Sequence, residues 1–479
     1  MHSMDIDAFI TANKSIIIAP AGYGKTYTIA EAIAAYTGNK RILVLTHTHA
    51  GIASLKEKFN EKHLPTFKYH LDTICSFALN LTQTYHVNKS EIPSGSTPSY
   101  LFNYAIEHAT KILRAKPIRQ SLSAKFDHLI VDEYQDCTIE QHKLILQLST
   151  SLNTHLLGDP LQGIFGFRSE QIVNFEDESF DPFKENIQEL DTPWRWINAG
   201  NTALGTDLAN IRQKLITGQD INLNDYSSIE VELGEKNDYA MPKTNIKSRL
   251  FQELKRDAVL IHPNSTSMEP RKKYVIHYPL QLIESIDGKD YYSLCSQIDN
   301  NSGQALIKVI ADAMRKVCTK TEIDKWINEK GALKHKSSIE NQKTIQYLES
   351  IVIPLMACKS FALVAKMIEA IIHLPNVFVY RKEFVVDIIK TLDDADKLGL
   401  SATESIIRNR NILRQKGRKI MKKSIGTTLL TKGLEFENVV VLDAQDFKDP
   451  RHLYVALTRC CKRLLVITNN PILHPYSNS

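Results

Sequence analysis

The sequence predicts an α/β fold built on parallel sheets, and three observations predict it. Short apolar runs of strand length alternate with stretches of helical periodicity. One such run, residues 16–18 (III), leads into a glycine-bearing loop, the pair Lys25-Thr26 and a helical segment over 29–36. Another, residues 126–131 (FDHLIV), ends on the carboxylates Asp132 and Glu133.

Strand, glycine loop, Lys-Thr and helix make the sequence picture of a P-loop, which wraps a nucleoside triphosphate in backbone N–H groups. Gly22 and Gly24 let backbone approach phosphate without a Cβ in the way. Lys25 supplies a point charge for the phosphates, the Thr26 hydroxyl is a ligand for Mg²⁺, and the helix presents its N-terminus to the anion. The strict pattern has Gly where this chain has Ala19, so alone the loop also reads as a glycine turn between strand and helix.

Next in order, residues 41–46 (RILVLT) read as a buried strand that runs into Thr46, His47 and a helix with Ile52, Leu55 and Phe59 on one face. Thr73 opens another amphipathic segment. A turn-rich stretch follows, and residues of about 84–121 read as a small, partly helical insertion. Asp132 and Glu133 come next, at the C-terminal end of their strand. Downstream of a P-loop such a pair holds Mg²⁺ and activates water, although an acidic loop capping a helix gives the same pair. After a strand at 154–158, the segment 159–168 carries Gln162 and the aromatics Phe165 and Phe167, which suit either base stacking or a core. Arg195 stands between Trp194 and Trp196, as a phosphate finger or a stacked surface arginine.

Further on, residues 228–233, 258–263 and 273–283 read as strands, the last interrupted by Pro279. Residues 303–420 read as mostly helical, and strands return at 425–442 and 463–468. Residues 408–423 (RNRNILRQKGRKIMKK) form a basic stretch that suits a phosphate backbone, an acidic partner or a solvated helix face.

Composition narrows the class. The chain's 479 residues suffice for about two to four domains with sizeable cores. No apolar run has the length to cross a bilayer, and MHSMDIDAF lacks the basic-then-apolar pattern of a secretory signal. The seven cysteines form no CxxC pair, which argues against a disulfide framework or a zinc site. The expectation is a cytoplasmic protein with no membrane partner. A net charge of +5 permits nucleic-acid binding without arguing for it.

The ordered set APAGYGKT, VDEYQD, GDPLQGIFGFR, PWR, TKGLEF (431–436) and YVALTR (454–459) resembles superfamily 1 DNA helicases of the UvrD, Rep and PcrA type. That family's loop also begins with Ala. The resemblance implies two RecA-like P-loop NTPase lobes with parallel sheets: residues 1–200 with the insertion at about 84–121, and residues 201–479 with a helical insertion at about 303–420. It implies ATP and Mg²⁺ as cofactors, with Lys25 and Thr26 on the phosphates and metal, Asp132 holding the metal and Glu133 activating water. Gln162 would couple nucleotide state to DNA, Arg195 and Arg459 would be arginine fingers, and Glu435 would contact the sugar. Thr46, His47, Thr73, Phe165 and Phe167 fall where the family touches single-stranded DNA.

There are departures. No convincing match to the family's adenine-reading Gln appears in MDIDAFITANKS; Leu429-Leu430 replace His-Ser, His47 a Phe, and Phe167 a Trp. The nucleotide side is better preserved than the DNA side. The reduced lobes also resemble the helicase-like subunits of Gabija antiphage systems, which work with an OLD-family nuclease. The expected activity is therefore a DNA helicase or translocase moving 3′ to 5′ on single-stranded DNA or DNA ends, in antiphage defence or repair. The alternatives are a regulatory ATPase subunit that activates an OLD-family nuclease partner with little unwinding of its own, and a P-loop switch that binds RNA or protein.

Overall fold

The structure, a computed structural model, describes residues 5–86, 98–165, 171–235, 244–286, 288–416, 420 and 422–476. Phe167, and residues 417–419 and 421 of the basic stretch, lie outside them. In chain order the strands are β1 (Lys14–Ile18), β2 (Arg41–Thr46), β3 (Tyr69–Thr73), β4 (Phe126–Val131), β5 (Asn153–Gly158), β6 (Ile187–Glu189) and β7 (Ile221–Asn222). They continue as β8 (Ile229–Leu233), β9 (Val259–Ile261), β10 (Gln281–Leu282), β11 (Ser424–Gly426), β12 (Phe436–Val441), β13 (Cys460–Thr468) and β14 (Ile472–Leu473). Residues 1–235 with 431–479 form one compact unit, and residues 236–430 form another.

The first unit is organised by a sheet in the order β3-β2-β4-β5-β1-β6, every pair parallel. Parallel neighbours need crossovers, and helices Lys25–Ala35, His49–Glu61, Ile74–Tyr85 and Ile139–Leu148 supply them. Burial on both faces explains the apolar runs Ile16–Ile18 of β1, Ile42–Leu45 of β2 and Leu129–Val131 of β4. Leu43, Leu45, Leu129, Val131 and Leu156 of the strands pack with Phe77, Ala78, Leu144 and Ile145 of the helices. Ala105, Ile106 and Ala109, from helix Pro98–Ile112, complete this core. Helix Ile139–Leu148 starts on a capping box in which Thr138 and Gln141 satisfy each other's backbone N–H.

The same unit holds a parallel array β12-β13-β8 and an antiparallel pair β7-β14. One device appears in it twice. β4 runs through Asp132 to Glu133, which is left-handed at φ 54°, ψ 40°, and then into the 3-10 turn Tyr134–Asp136. β12 runs through Leu442 to Asp443, at φ 46°, ψ 48°, and then into the 3-10 turn Ala444–Asp446. Gln135 Oε1 accepts from Asp159 N at 3.1 Å, just past the end of β5. Gln445 Oε1 accepts from Asn469 N at 3.1 Å, just past the end of β13.

In the second unit β10, β11 and β9 are parallel neighbours, and helices fill most of the segment 289–416. Helix Gly303–Val317 shows why: Leu306, Ile307, Ile310, Ala311, Met314 and Val317 share one face and are all buried. Against them pack Leu348, Ile351 and Leu355 of helix Ile339–Ala357, Ile368 of Phe361–Ile372 and Ile388 of Lys382–Leu398.

The structure corrects two sequence expectations. The strand expected at 273–283 is helix Glu269–His277 followed by the two residues of β10. Pro270 at the first helical turn starts it, and Arg271, Tyr274 and Val275 are buried at helical spacing. The strand expected from 425 stops at Gly426, and Thr428–Thr431 form a helical turn. The α/β class with parallel sheets, that of RecA-like lobes, is as the sequence predicts. Among the described residues, no helix is long and apolar enough to cross a membrane.

Candidate nucleotide site

The loop after β1 is tied to β5 by Ala19 N–H, which donates to Gly158 O at 2.9 Å. It then turns through Gly22 (φ 78°) and Gly24 (φ 87°), conformations that an L side chain resists. Crowding adds a second reason. A Cβ on Gly22 would lie 2.8 Å from Arg195 Cβ, and one on Gly24 3.2 Å from Trp194 Cδ1. Gly24 is the N-cap of helix Lys25–Ala35 and brings no side chain to it, so the first N–H groups face outward as an anion seat. Thr26 lies half-buried in that first turn.

Lys25 Nζ lies 2.6 Å from Glu133 Oε1 and 3.4 Å from Asp132 Oδ1. Burial works against its charge, but the two carboxylates prevail and hold its pKa above the ordinary lysine value. Burial pushes Asp132 up to about 6 despite Lys25. For Glu133 burial also pushes upward, yet Lys25 and Lys432 together draw it down to about 2. Strand-end geometry thus sets two adjacent carboxylates against one lysine.

Beyond this pair lies a third carboxylate with its own lysine. Lys432 Nζ donates to Asp136 Oδ2 at 2.6 Å and also to Gln162 O. Burial raises Asp136 to about 7 and lowers Lys432, so both members move toward neutrality: each loses more by desolvation than it gains from the other. The Lys432 ammonium is 4.3 Å from the Phe165 ring centroid, and Phe165 stacks with His47 at 6.2 Å and 17°. Burial, then the Lys432 charge, lowers His47 to about 4, so the imidazole is neutral.

The other expected residues are distributed unevenly. Arg195 N–H donates to Gly22 O at 2.9 Å, which places this residue against the P-loop. Its guanidinium donates to Glu435 Oε1 at 2.6 Å and to Thr458 O, so two expected nucleotide contacts meet each other. Arg459 is buried: Nε donates to Val455 O at 3.0 Å and Nη1 to Leu434 O at 3.1 Å. Burial, then Arg195, brings its pKa down to about 10. Gln162 Nε2 donates to Asp159 Oδ2 at 3.0 Å.

On the side expected for DNA, Phe165 is 37% exposed. Thr46 is fully buried, its hydroxyl beneath Gly51, where a Cβ would approach to 2.5 Å. Thr73 caps helix Ile74–Tyr85, its Oγ1 accepting from Ser76 N at 3.0 Å. Asp136 and Lys432 were given no role by the sequence. Both stand inside the motifs VDEYQD and TKGLEF, which were the only available signal.

The residues present fit ATP and Mg²⁺. Asp132 Oδ1 is buried and, among the described residues, accepts no hydrogen bond; the Lys25 ammonium lies 3.4 Å from it, so a bound metal ion would take over a position that a cation already faces. The glycine loop and the uncapped helix N-terminus suit a polyphosphate.

Residues 5–168 match the AAA_19 family, an AAA domain. The AAA-domain match spans the P-loop, Asp132, Glu133 and Asp136 and stops before Arg195, Lys432 and Glu435. An ATP-dependent helicase/nuclease protein of Oenococcus oeni is 34% identical over 89 residues, 19% of this chain and 8% of that protein. The ATP-dependent DNA helicase Rep of Buchnera aphidicola subsp. Baizongia pistaciae is 26% identical over 180 residues, 35% of this chain and 26% of Rep. The corresponding helicase/nuclease protein of Streptococcus pneumoniae strain Hungary19A-6 is 28% identical over 179 residues, 32% of this chain and 14% of that protein. The chain thus spans about a quarter or less of the length of these relatives. At family level the similarity is to UvrD/Rep-type superfamily 1 helicases.

Proposed function

We propose that this protein is an ATP-hydrolysing DNA motor of the UvrD/Rep superfamily 1 type. The observation that carries the reading is Lys25 bridging Asp132 and Glu133 at the mouth of an uncapped helix N-terminus. Bound Mg²⁺–ATP supplies the phosphoanhydride whose hydrolysis releases the driving free energy. The chain's own groups divide the remaining work. Lys25 and the N–H groups of residues 22–26 bind and orient phosphate, and Thr26 and Asp132 would hold the metal. Glu133, ionised well below neutral pH, orients water and accepts its proton. Arg195, held on Gly22, is placed to respond to the loop's contents. Single-stranded DNA is the proposed track, with Phe165 and Phe167 as stacking surfaces and 3′-to-5′ movement as in the family the chain resembles.

A second reading is a regulatory DNA-dependent ATPase that activates an OLD-family nuclease with little unwinding of its own, in antiphage defence. It is favoured by the buried Thr46 and the capping Thr73, which leave few hydroxyls for a DNA strand. Both readings are tested by ATP hydrolysis with single-stranded DNA, duplex DNA or RNA. Stimulation by single-stranded DNA followed by strand separation supports the motor. Stimulation without strand separation supports the regulatory reading, and turnover indifferent to every nucleic acid overturns both.

A further inference from the structure

Lys432 belongs to no part of the site as read so far, yet it touches both ends of it. Its side chain is only 7% exposed, so it is a buried cation rather than a surface charge for phosphates. It donates to the Asp136 carboxylate and to the main-chain carbonyl of Gln162, and its ammonium lies against the Phe165 ring at 4.3 Å. Asp136 N–H in turn donates to Glu133 O at 3.0 Å, and Gln135, between them, donates from Nε2 to the Glu133 carboxylate. The continuous path is Phe165, Lys432, Asp136, Glu133. All four residues belong to the same compact unit.

We propose that Lys432 is a positioning residue that transmits occupancy of the Phe165 aromatic step to the Glu133 turn. A cation over an aromatic face is held there by the ring's quadrupole, and the attraction strengthens when water is excluded. A nucleobase stacked on Phe165 shifts or polarises that ring and changes its hold on Lys432. The ammonium then redistributes between Asp136 and Gln162 O, and the 3-10 turn that fixes Glu133 moves with Asp136. The carbonyl of Gln162 adds a second input, because it belongs to the same loop as Phe165. The coupling is read as the ratio of DNA-stimulated to basal turnover. The proposal rests on the reading of the site as a DNA-stimulated ATPase.

The test measures ATP turnover at saturating ATP with no DNA and with saturating oligo(dT), in the full chain and in Lys432→Met, Lys432→Arg and Phe165→Leu. Oligo(dT) affinity is followed by fluorescence anisotropy, and folding by thermal melting. Lys432→Met is expected to lower the stimulation ratio about tenfold, the effect of losing one charged hydrogen bond. Its oligo(dT) affinity is expected to stay within about twofold, because a buried cation neutralises no phosphate. Lys432→Arg is expected to recover most of the ratio. Phe165→Leu, which keeps an apolar side chain beside Lys432, is expected to lower the ratio even where DNA is saturating. A ratio kept by either Lys432→Met or Phe165→Leu overturns the proposal. So does a loss in Lys432→Met that is matched by lost affinity, since Lys432 would then be a DNA contact. If Lys432→Met does not fold, Phe165→Leu with Lys432→Arg decides: the proposal falls if Phe165→Leu keeps the ratio. An unstimulated wild-type chain overturns the functional reading and this inference together, whereas the variant outcomes bear on this inference alone.

Discussion

Buried charge occurs in both compact units, and the two handle it differently. In the helical unit Arg381 meets Glu284 as a two-pronged fork, Nε to Oε1 at 2.8 Å and Nη2 to Oε2 at 2.6 Å, with Asp290 on Nη1. Its guanidinium also lies 4.5 Å from the Phe384 ring, and its pKa is raised: burial lowers it, but the two carboxylates prevail. Arg410 repeats the pattern, with Asp387 at 2.9 Å and the Tyr291 ring at 3.8 Å. At the strand ends of the first unit, by contrast, three carboxylates share two lysines, and Asp132 and Asp136 are pushed up to about 6 and 7. A guanidinium whose donors are met by carboxylates and whose face lies on a ring serves packing. Charge left partly unmatched is what a site for a further charged ligand needs.

That contrast is breakable. Arg381→Ala leaves Glu284 buried without its fork and should cost about 3–5 kcal/mol in denaturant unfolding. A cost below about 1 kcal/mol would make it an ordinary surface pair. Lys25→Ala should show the opposite profile. Turnover should fall on the order of 10²–10³-fold while the melting temperature changes little, and retained turnover would remove Lys25 from the site. Phe165→Ala should weaken oligo(dT) binding by about 1–3 kcal/mol, read by anisotropy, and an unchanged affinity would return the ring to packing alone.

A smaller effect comes from a third kind of buried polar group. His155 Nδ1 lies 2.8 Å from Ser15 Oγ, and its Nε2 lies 3.0 Å from His128 Nδ1, across the first sheet. Burial, then His128, lowers His155 to about 3 from an ordinary 6.5. The folded state therefore prefers the neutral ring. Its contribution is complete above pH 6.5 and is lost as pH falls toward 3, by roughly 1.4 kcal/mol per unit. His155→Gln should flatten the slope of stability against pH in that window, and an unchanged slope would place the acid sensitivity elsewhere.

The sequence revealed most where one residue type at one spacing suffices. β1, β2 and β4 are double-faced parallel strands with apolar runs, and the loop of Gly22, Gly24 and Lys25 lies within one stretch of chain. Helix Glu269–His277 misled because Tyr274, Val275 and Ile276 favour strands, while the burial spacing that decides it depends on packing. A motif also says that a threonine stands at a position, not where its hydroxyl goes, and those of Thr46 and Thr73 turn inward. The hardest feature to see was Lys432, whose partner Asp136 stands 296 positions earlier in the chain.

Glu133 adopts a left-handed backbone that a residue with a Cβ enters at a cost of about 1–2 kcal/mol. Glycine would avoid that cost, and either glycine or alanine removes the carboxylate. Comparing Glu133→Gly with Glu133→Ala therefore isolates backbone strain from charge. The glycine variant should be more stable by about 1 kcal/mol, and both should be inactive. The fold then keeps a carboxylate, the proposed proton acceptor, at a position where a more relaxed chain is available, and directed selection for heat resistance alone would be expected to erode that position early. Asp443, at φ 46° after β12, offers the internal control. It has the same turn, with Leu442 in place of Asp132, so Asp443→Gly should bring the stabilisation with far less loss of turnover.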